Sequence, residues 1–211
     1  MRVAEIWRYS VKSLRGERLD QVDVLADGLR GDRATQVVDH KGKRLTGRTA
    51  KRLLGLQSGL DERGEPTIDG YEWQSDEALS LIRDAAGPGT GLAPLGRHFD
   101  DRSILVTTDG AIAALGVDGR RLRPNIVIEG VEGLAETGWV GRRLRLGGVE
   151  LDVVDQCVRC VMTTIDPDSL DLDPDVLRTI NEEFGTRMGV LCEVVTAGEL
   201  RMGDAVKVLS G

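Results

Sequence analysis

Aromatic residues and cysteines are scarce in this chain of 211 residues. Two Phe, two Tyr and three Trp leave the interior to be filled by Val, Leu, Ile and Ala. Three cysteines are too few for a disulfide framework, so the sequence excludes a small disulfide-stabilised scaffold. The length allows one well-buried core, and we expect a single compact unit.

Long apolar runs and an excess of positive charge are also missing. No stretch approaches the roughly 18 apolar residues of a membrane span, and Arg2, Glu5 and Arg8 stand where a signal peptide needs an apolar segment. The formal net charge of −7 provides no overall attraction to nucleic acid or to an anionic membrane. We therefore expect a cytoplasmic protein with neither partner.

Glycine, by contrast, is abundant, with 27 residues that separate many short apolar segments. Alternation and turn signals predict strands at residues 3–9, 22–24, 34–39, 103–107 and 125–129, a hairpin around Gly147-Gly148, and strands within 189–209. Short helices are predicted at 48–56, after Ser75, after Thr108, and from Asp173-Pro174 to Gly185. Residues 59–70 are predicted to form loop and turn, and residues 87–102 are predicted to form a mobile lid or linker. The pattern favours a mainly β (α+β) fold with a β-barrel core and peripheral helices.

The segment from Cys157 to Cys160, with Arg159 between them, is the clearest candidate for chemistry. A neighbouring cation favours thiolate, the form that attacks electrophiles and binds soft metals. Taken alone, the segment is also compatible with a structural zinc site, a dithiol redox pair or two ordinary buried cysteines. Zinc would need four ligands, and a thioredoxin-like pair would need a βαβ pattern. Cys192 lies in an apolar run and is therefore predicted to be a buried thiol.

Cationic loops lie at the ends of several predicted strands. They are Lys12-Ser13, Gly31-Asp32-Arg33 and Arg120-Arg121-Leu122-Arg123-Pro124-Asn125. Each loop on its own is typical of a solvated surface. If the strand ends meet at one rim of a barrel, however, the loops together predict a phosphate-binding site.

These segments, in this order, resemble the MOSC family, named for the C-terminal domain of molybdenum cofactor sulfurase. The resemblance covers almost the whole chain. It rests on Tyr9-Ser-Val-Lys-Ser13, Gly28-Leu-Arg-Gly-Asp-Arg33, Leu122-Arg-Pro-Asn-Ile-Val127, Trp139, Cys157-Val-Arg-Cys160, Thr163-Thr-Ile-Asp-Pro167 and Gly203-Asp204. Ser10 departs from the family, which commonly has proline there. The resemblance implies one MOSC unit over residues 1–211, with a shortened N-terminal β portion at 1–102 and the MOSC core at 103–211.

The resemblance also implies a molybdenum cofactor, a molybdopterin whose metal is ligated by Cys160. The implied cofactor-binding residues are Lys12, Ser13, Arg33, Thr108, Arg123, Asn125, Arg159 and Cys160. Asp166 is a candidate catalytic proton relay, although an aspartate before proline is also typical of a turn. Thr164 is a further candidate contact. Cys157 either tunes Cys160 or is simply packed.

By this resemblance, the first hypothesis is a molybdenum-dependent oxidoreductase that reduces N-hydroxylated or N-oxide small molecules by oxygen-atom transfer. The sequence shows neither an iron–sulfur cysteine cluster nor a nucleotide-binding glycine loop, so the electrons would come from a separate donor protein. The second hypothesis is a cofactor carrier or sulfur-transfer protein that uses a persulfide on Cys160. The third is a folded domain with a vestigial site.

Overall fold

The computed structural model describes residues 1–209, and in that range it is built mainly from short strands. The strands are β1 (Arg2–Arg8), β2 (Val11–Lys12), β3 (Glu17–Leu19), β4 (Gln21–Leu25), β5 (Gly28–Leu29), β6 (Thr35–Val38), β7 (Ser58–Leu60), β8 (Pro66–Ile68), β9 (Tyr71–Glu72), β10 (Gly91–Leu92), β11 (Ile104–Thr108), β12 (Ile126–Glu129), β13 (Arg143–Leu146), β14 (Val149–Val158), β15 (Arg187–Thr196), β16 (Gly198–Arg201) and β17 (Val206–Leu209). The α-helices are α1 (Asp76–Ala86), α2 (Asp109–Leu115) and α3 (Pro174–Glu183), and the 3₁₀ helices are Lys51–Gly55, Gly119–Leu122, Ala135–Trp139 and Val161–Thr164. The predicted mainly β fold with peripheral helices is confirmed.

The largest sheet has eight strands in the order β17-β13-β14-β15-β11-β12-β1-β3. Its ladder does not close, although an isolated antiparallel bridge joins Arg2 to Ala205. One hydrophobic core gathers side chains from this sheet and from the β16-β4-β5 sheet. In β14, Val149, Leu151 and Val153 alternate toward this core and are almost fully buried. The strands therefore surround one aliphatic interior, as the scarcity of aromatic residues predicts.

The hairpin of β13 and β14 brings the chain to the cysteine segment. Gly147 turns it with φ 58°, a conformation that favours glycine. β14 then continues to Val158 and pairs with β15 along most of its length. Cys157 consequently lies near the end of a long, paired strand, which fixes its position relative to the core.

A second hydrophobic cluster lies beneath α1 and the small sheets β10-β6-β2 and β7-β8-β9. The Ser75 hydroxyl accepts a hydrogen bond from the Ala78 amide, so the predicted N-cap is confirmed. The prediction of loop and turn for residues 59–70 was wrong, because β7 and β8 form a hairpin there. Its strands are too short to show alternation. Within 87–102, Gly91–Leu92 pairs with β6, and the mobility of this segment stays a prediction.

A third cluster holds α2 and α3 against each other. Thr108 caps α2 by accepting from the Ala111 amide, and Asp173 caps α3, as the sequence predicts. No helix in residues 1–209 combines the length and the apolar character needed to cross a membrane.

A buried carboxyl group, Glu136, should make the stability of the fold depend on pH. Its Oε2 accepts a hydrogen bond from the Thr108 hydroxyl at 3.1 Å, while Oε1 has no partner in the described chain. Burial raises the pKa of Glu136. The folded state therefore retains the proton longer than the unfolded chain does. The stabilisation is complete below the unfolded pKa of about 4.3 and is lost as pH rises through the folded pKa.

We expect Glu136→Gln to raise the free energy of unfolding at pH 8 by roughly 1–3 kcal/mol, because it removes a buried charge and keeps an oxygen that can accept from the Thr108 hydroxyl. The gain should shrink as pH falls through the folded pKa of Glu136, because the natural side chain then carries a proton. Urea unfolding across this pH range measures it, with the exposed Glu132→Gln as the matched control. Equal effects of the two substitutions at every pH would contradict the assignment.

Candidate functional site

A cavity of about 370 Å³ opens where the ends of β2 and β14 meet the segments that precede β6, β11 and β12. Its volume is in the range of small-molecule sites. Most of the sequence-predicted site residues line it: Lys12, Ser13, Arg33, Arg123, Asn125, Arg159 and Cys160. The structure thus brings together segments that are far apart in the sequence.

The cavity is strongly positive, although the protein as a whole is acidic. Its seven cationic side chains are Lys12, Arg33, Arg48, Arg102, Arg121, Arg123 and Arg159, and its three carboxylates are Asp100, Asp101 and Asp155. The excess of four positive charges is concentrated in a partly enclosed space, where electrostatic attraction is stronger than in open water. Such a site is suited to an anionic ligand.

Tyr9 organises two of these cations. The guanidinium of Arg123 lies 4.2 Å from the centre of the Tyr9 ring, and that of Arg33 lies 4.6 Å from it. Cation–π attraction holds both groups against the ring. Burial raises the pKa of Tyr9 to about 12, and burial lowers the pKa of Arg123 to about 10. The charges of Arg33 and Arg159 also oppose that of Arg123, so a bound anion would relieve the repulsion.

Asp32 and Asn125 form the buried support beneath this pair. The Asp32 carboxylate accepts from the Tyr9 amide at 2.7 Å and from Asn125 Nδ2 at 3.0 Å, and it pairs with Arg33. Asn125 also donates to the Trp7 carbonyl, and its Oδ1 accepts from the Leu105 amide. Every polar atom of the Asn125 side chain is therefore engaged by the protein. Asn125 therefore holds the Asp32 carboxylate, which pairs with Arg33.

Three residues that line the cavity have positive φ without being glycine. The values are 72° for Ser13, 50° for Arg33 and 52° for Arg123. This conformation is uncommon for side chains of this size and is concentrated at functional sites. The backbone of the rim is therefore held in an unfavourable conformation that points these side chains inward.

The two cysteines of the Cys157–Cys160 segment differ in their surroundings. Arg159 Nη1 lies 3.1 Å from Cys157 Sγ, so the sulfur contact of this arginine is with the first cysteine, not with Cys160 as its sequence neighbourhood implied. Arg159 also donates to the Leu122 carbonyl, and its Nε is buried without a partner within residues 1–209. In the same range, Cys160 Sγ makes no hydrogen bond.

Cys160 lies immediately before the 3₁₀ helix Val161–Thr164. Its carbonyl accepts from the Thr163 amide at 3.0 Å and from the Thr163 hydroxyl at 2.9 Å. Arg121 then holds the far end of this helix through the Thr164 carbonyl at 2.8 Å. These contacts fix the backbone around a thiol that remains available. Cys192 is fully buried, as predicted, and burial raises the pKa of its thiol.

Two predicted site residues lie outside the cavity lining. Asp166 accepts from the amides of Asp168 and Ser169 and pairs with Arg121, so it closes a turn, and its role in proton transfer stays a prediction. Thr108 is buried in the cap of α2. Thr164 likewise uses its hydroxyl on the Val161 carbonyl at 2.7 Å. Serving a local turn or cap is the usual use of such residues.

Sequence reasoning missed several residues that shape the site. Tyr9 and Asp32 lie within two of the MOSC-like motifs. The sequence signal for them was an aromatic residue and an acidic residue in loops that also carry cationic side chains. Arg48 and Asp100 had no such signal, because they come from segments without periodicity. In the part of the chain that the structure describes, no three His, Cys, Asp or Glu side chains gather to hold a metal ion by themselves.

Comparison with known protein families gives two matches. The family model described as the MOSC domain matches residues 102–207. The model described as the MOSC N-terminal beta barrel domain matches residues 1–81. Together they cover most of the chain.

Curated relatives include mitochondrial amidoxime reducing component 2 from Bos taurus, which is 25% identical over 277 residues, covering 97% of this chain and 82% of the relative. Molybdenum cofactor sulfurase from Anopheles gambiae is 33% identical over 172 residues, which cover 81% of this chain but 21% of that protein. Among solved structures, the YUAD protein from Bacillus subtilis superimposes with a TM-score of 0.54 at 16% identity, covering 98% of this chain and 93% of that one. This last likeness concerns the fold alone.

Proposed function

Since the chain belongs to the MOSC domain family, we propose that it binds a molybdenum cofactor in the cavity containing Cys160 and uses it to reduce N-oxygenated small molecules. The relatives named amidoxime reducing components support this reading, and they align over most of their own length. One observation carries the proposal. A thiol without a hydrogen-bond partner in the described chain shares a cavity with clustered guanidinium groups.

The side chains of the cavity fit an anionic organic group that carries a soft metal. Thiolate sulfur is the protein ligand that soft metals prefer, and Cys160 can supply it. Arginine forks match the geometry of phosphate oxygens, and Arg33 and Arg123 are held side by side on the Tyr9 ring. The unpartnered Nε of Arg159 adds a buried donor to the same wall. In the described chain, the Cys160 thiol and the Arg159 Nε have no hydrogen-bond partner, and the positive charges of Arg33 and Arg123 repel each other.

In this proposal, Cys160 ligates the metal, and Arg33, Arg123 and Lys12 hold the anionic part of the cofactor. Ser13 contributes a hydroxyl at the rim, and Asn125 acts by positioning Arg33 through Asp32. When bound, the molybdenum cofactor supplies two-electron oxygen-atom transfer. The protein binds and orients the cofactor and limits access to it.

Reduction of an N-hydroxylated compound removes its oxygen as water and consumes two electrons and two protons. A separate electron-donor protein would supply the electrons, because the sequence shows no cysteine cluster for an iron–sulfur centre and no nucleotide-binding glycine loop. Asp166 is not assigned to proton transfer, since its carboxylate is committed to the turn at Asp168.

Purification from a host that makes the cofactor tests the proposal. We expect molybdenum and a pterin to copurify with the chain, and the protein to reduce benzamidoxime with a chemical electron donor. Protein from a host that lacks cofactor synthesis is the matched control and should be inactive until reconstituted. Metal-free protein from the competent host that stays inactive after reconstitution would refute the proposal.

A second candidate function, cofactor carriage or sulfur transfer through Cys160, is favoured by the second thiol in the same cavity. Cys157 Sγ lies 3.1 Å from the Arg159 guanidinium and lines the same cavity as Cys160, so it is a second sulfur that could accept or pass on sulfur. The match to a molybdenum cofactor sulfurase is consistent with this chemistry. Mass spectrometry of metal-free protein discriminates the two functions, since a labile gain of one sulfur on Cys160 supports sulfur transfer.

A further inference from the structure

A second group of cations converges on one carboxylate, Asp100, which also lines the cavity. Lys12 Nζ and Arg44 Nη1 each lie 2.8 Å from Asp100 Oδ1, and Arg48 Nη2 lies 4.0 Å from Asp100 Oδ2. The three cations come from the end of β2, from the residue bridged to Val38, and from the following loop. Three positive charges and one negative charge therefore meet at a single point.

Lys12 is the reason to regard this group as a site. Its side chain is only 8% exposed, whereas surface lysines are usually solvated. Burial lowers the pKa of Lys12, and the hydrogen bond that Lys12 donates to Asp100 partly restores it. In residues 1–209, Asp100 is the one carboxylate that pairs with this ammonium group. A buried ammonium group whose one carboxylate partner comes from a loop 88 positions away is suited to bind an anion from solution.

Asp100 is attached loosely. Its side chain is 51% exposed, and it lies between β10 and β11 in a segment without regular structure. Residues 99–102 make no backbone-to-backbone hydrogen bond within the described part of the chain. The carboxylate can therefore leave the three cations without breaking a strand or exposing the core.

The charge balance indicates the ligand. One carboxylate neutralises a third of the positive charge that faces it, and a phosphate dianion would neutralise two thirds while offering more acceptor oxygens. Arg44 and Arg48 belong to neither the Tyr9 cluster nor the cysteine segment. They therefore form a contact point separate from both of those groups.

We infer that Lys12, Arg44 and Arg48 form an oxyanion-binding site for a phosphate or carboxylate group, and that Asp100 fills this site in the free chain and is displaced when the anion binds. The inference extends the proposed function, because Lys12, Arg48 and Asp100 line the cavity that contains Cys160. It is testable without molybdenum.

Inorganic phosphate binding to metal-free chain, measured by calorimetry, is the test. Asp100→Asn keeps a hydrogen-bond acceptor for Lys12 but removes the competing charge. We expect it to bind phosphate about 10-fold more tightly or better, because a tethered competitor acts at millimolar effective concentration. The matched control is Asp101→Asn, which removes the same charge from the next residue, in the same cavity. Adding Arg44→Gln or Arg48→Gln to Asp100→Asn should cancel the gain.

Phosphate should also raise the Tm of the unsubstituted chain more than chloride does at equal ionic strength, which makes the test independent of how well Asp100→Asn folds. Equal phosphate affinity of Asp100→Asn and Asp101→Asn, or a gain that survives loss of Arg44 and Arg48, would overturn the inference.

The source of the anion is decided by repeating the titration on chain that carries the cofactor. Lost phosphate binding identifies the site with the phosphate of the cofactor, and retained binding identifies it with an acidic group of the substrate. A chain that never takes up molybdenum would sink the proposed function and leave the phosphate result intact.

Discussion

Cys160→Ser is expected to abolish molybdenum retention and to lower the rate of benzamidoxime reduction by more than about 100-fold. Loss of supporting residues alone costs roughly 10–100-fold at metal sites, and loss of the ligand itself should cost more. The fold should be unaffected. Cys160 is half-buried, and its sulfur has no hydrogen-bond partner in residues 1–209, so the free energy of unfolding should change by about 0.5 kcal/mol or less. Metal analysis and urea unfolding measure the two effects separately.

The other two cysteines serve as matched controls. Cys157→Ser removes a sulfur that Arg159 contacts and should leave the metal bound. Cys192→Ser places a hydroxyl in the aliphatic core and should lower the free energy of unfolding by about 1–3 kcal/mol without metal loss. Full turnover by Cys160→Ser, or equal metal loss from Cys157→Ser, would exclude Cys160 as the single protein ligand.

Asn125→Leu is expected to have the largest effect on stability. The substitution keeps the size of the side chain but removes the side-chain partner of the Leu105 amide and of the Trp7 carbonyl, and one of the three partners of the Asp32 carboxylate. Each unsatisfied buried group costs about 1–3 kcal/mol, so the total should reach roughly 3 kcal/mol or more. For a chain of this size, that lowers the Tm by roughly 6–12 °C.

The comparison that isolates this effect is Asn181→Leu on the exposed face of α3, which should leave the Tm nearly unchanged. Cofactor retention should also fall in Asn125→Leu, because Arg33 loses the support of a correctly held Asp32. A side chain that only contacted the cofactor would affect retention and leave the Tm of metal-free protein unchanged. That result would contradict the positioning role.

The positive cavity would allow an acidic protein to bind an anion. Arg33, Arg123 and Arg159 oppose one another electrostatically, and Tyr9 and Asp32 supply only part of the compensation. A ligand with a phosphate group would complete it. Because the cluster is partly enclosed, added salt should weaken anion binding less than it weakens a surface ion pair.

Much of the local structure follows from the sequence because the determinants act over a few residues. The caps at Ser75, Thr108 and Asp173 and the turn at Gly147 depend on the chemistry of one side chain and its neighbours. The resemblance to the family was visible in the same way, as short motifs in order. The hairpin of β7 and β8 escaped prediction because three-residue strands leave no periodic signal.

The chain itself therefore determined its mainly β character, its helix caps, and which loops would carry charge and sulfur. Only the tertiary structure decided which of these groups meet. Asn125 and Asp32 are 93 positions apart, and Lys12 and Asp100 are 88 apart. The same folding committed Asp166 and Thr108 to a turn and a cap, and it left Cys160 available. The physical reason is that a polar side chain takes whichever partner the packed strands bring within about 3 Å, and neighbours in sequence do not determine that partner.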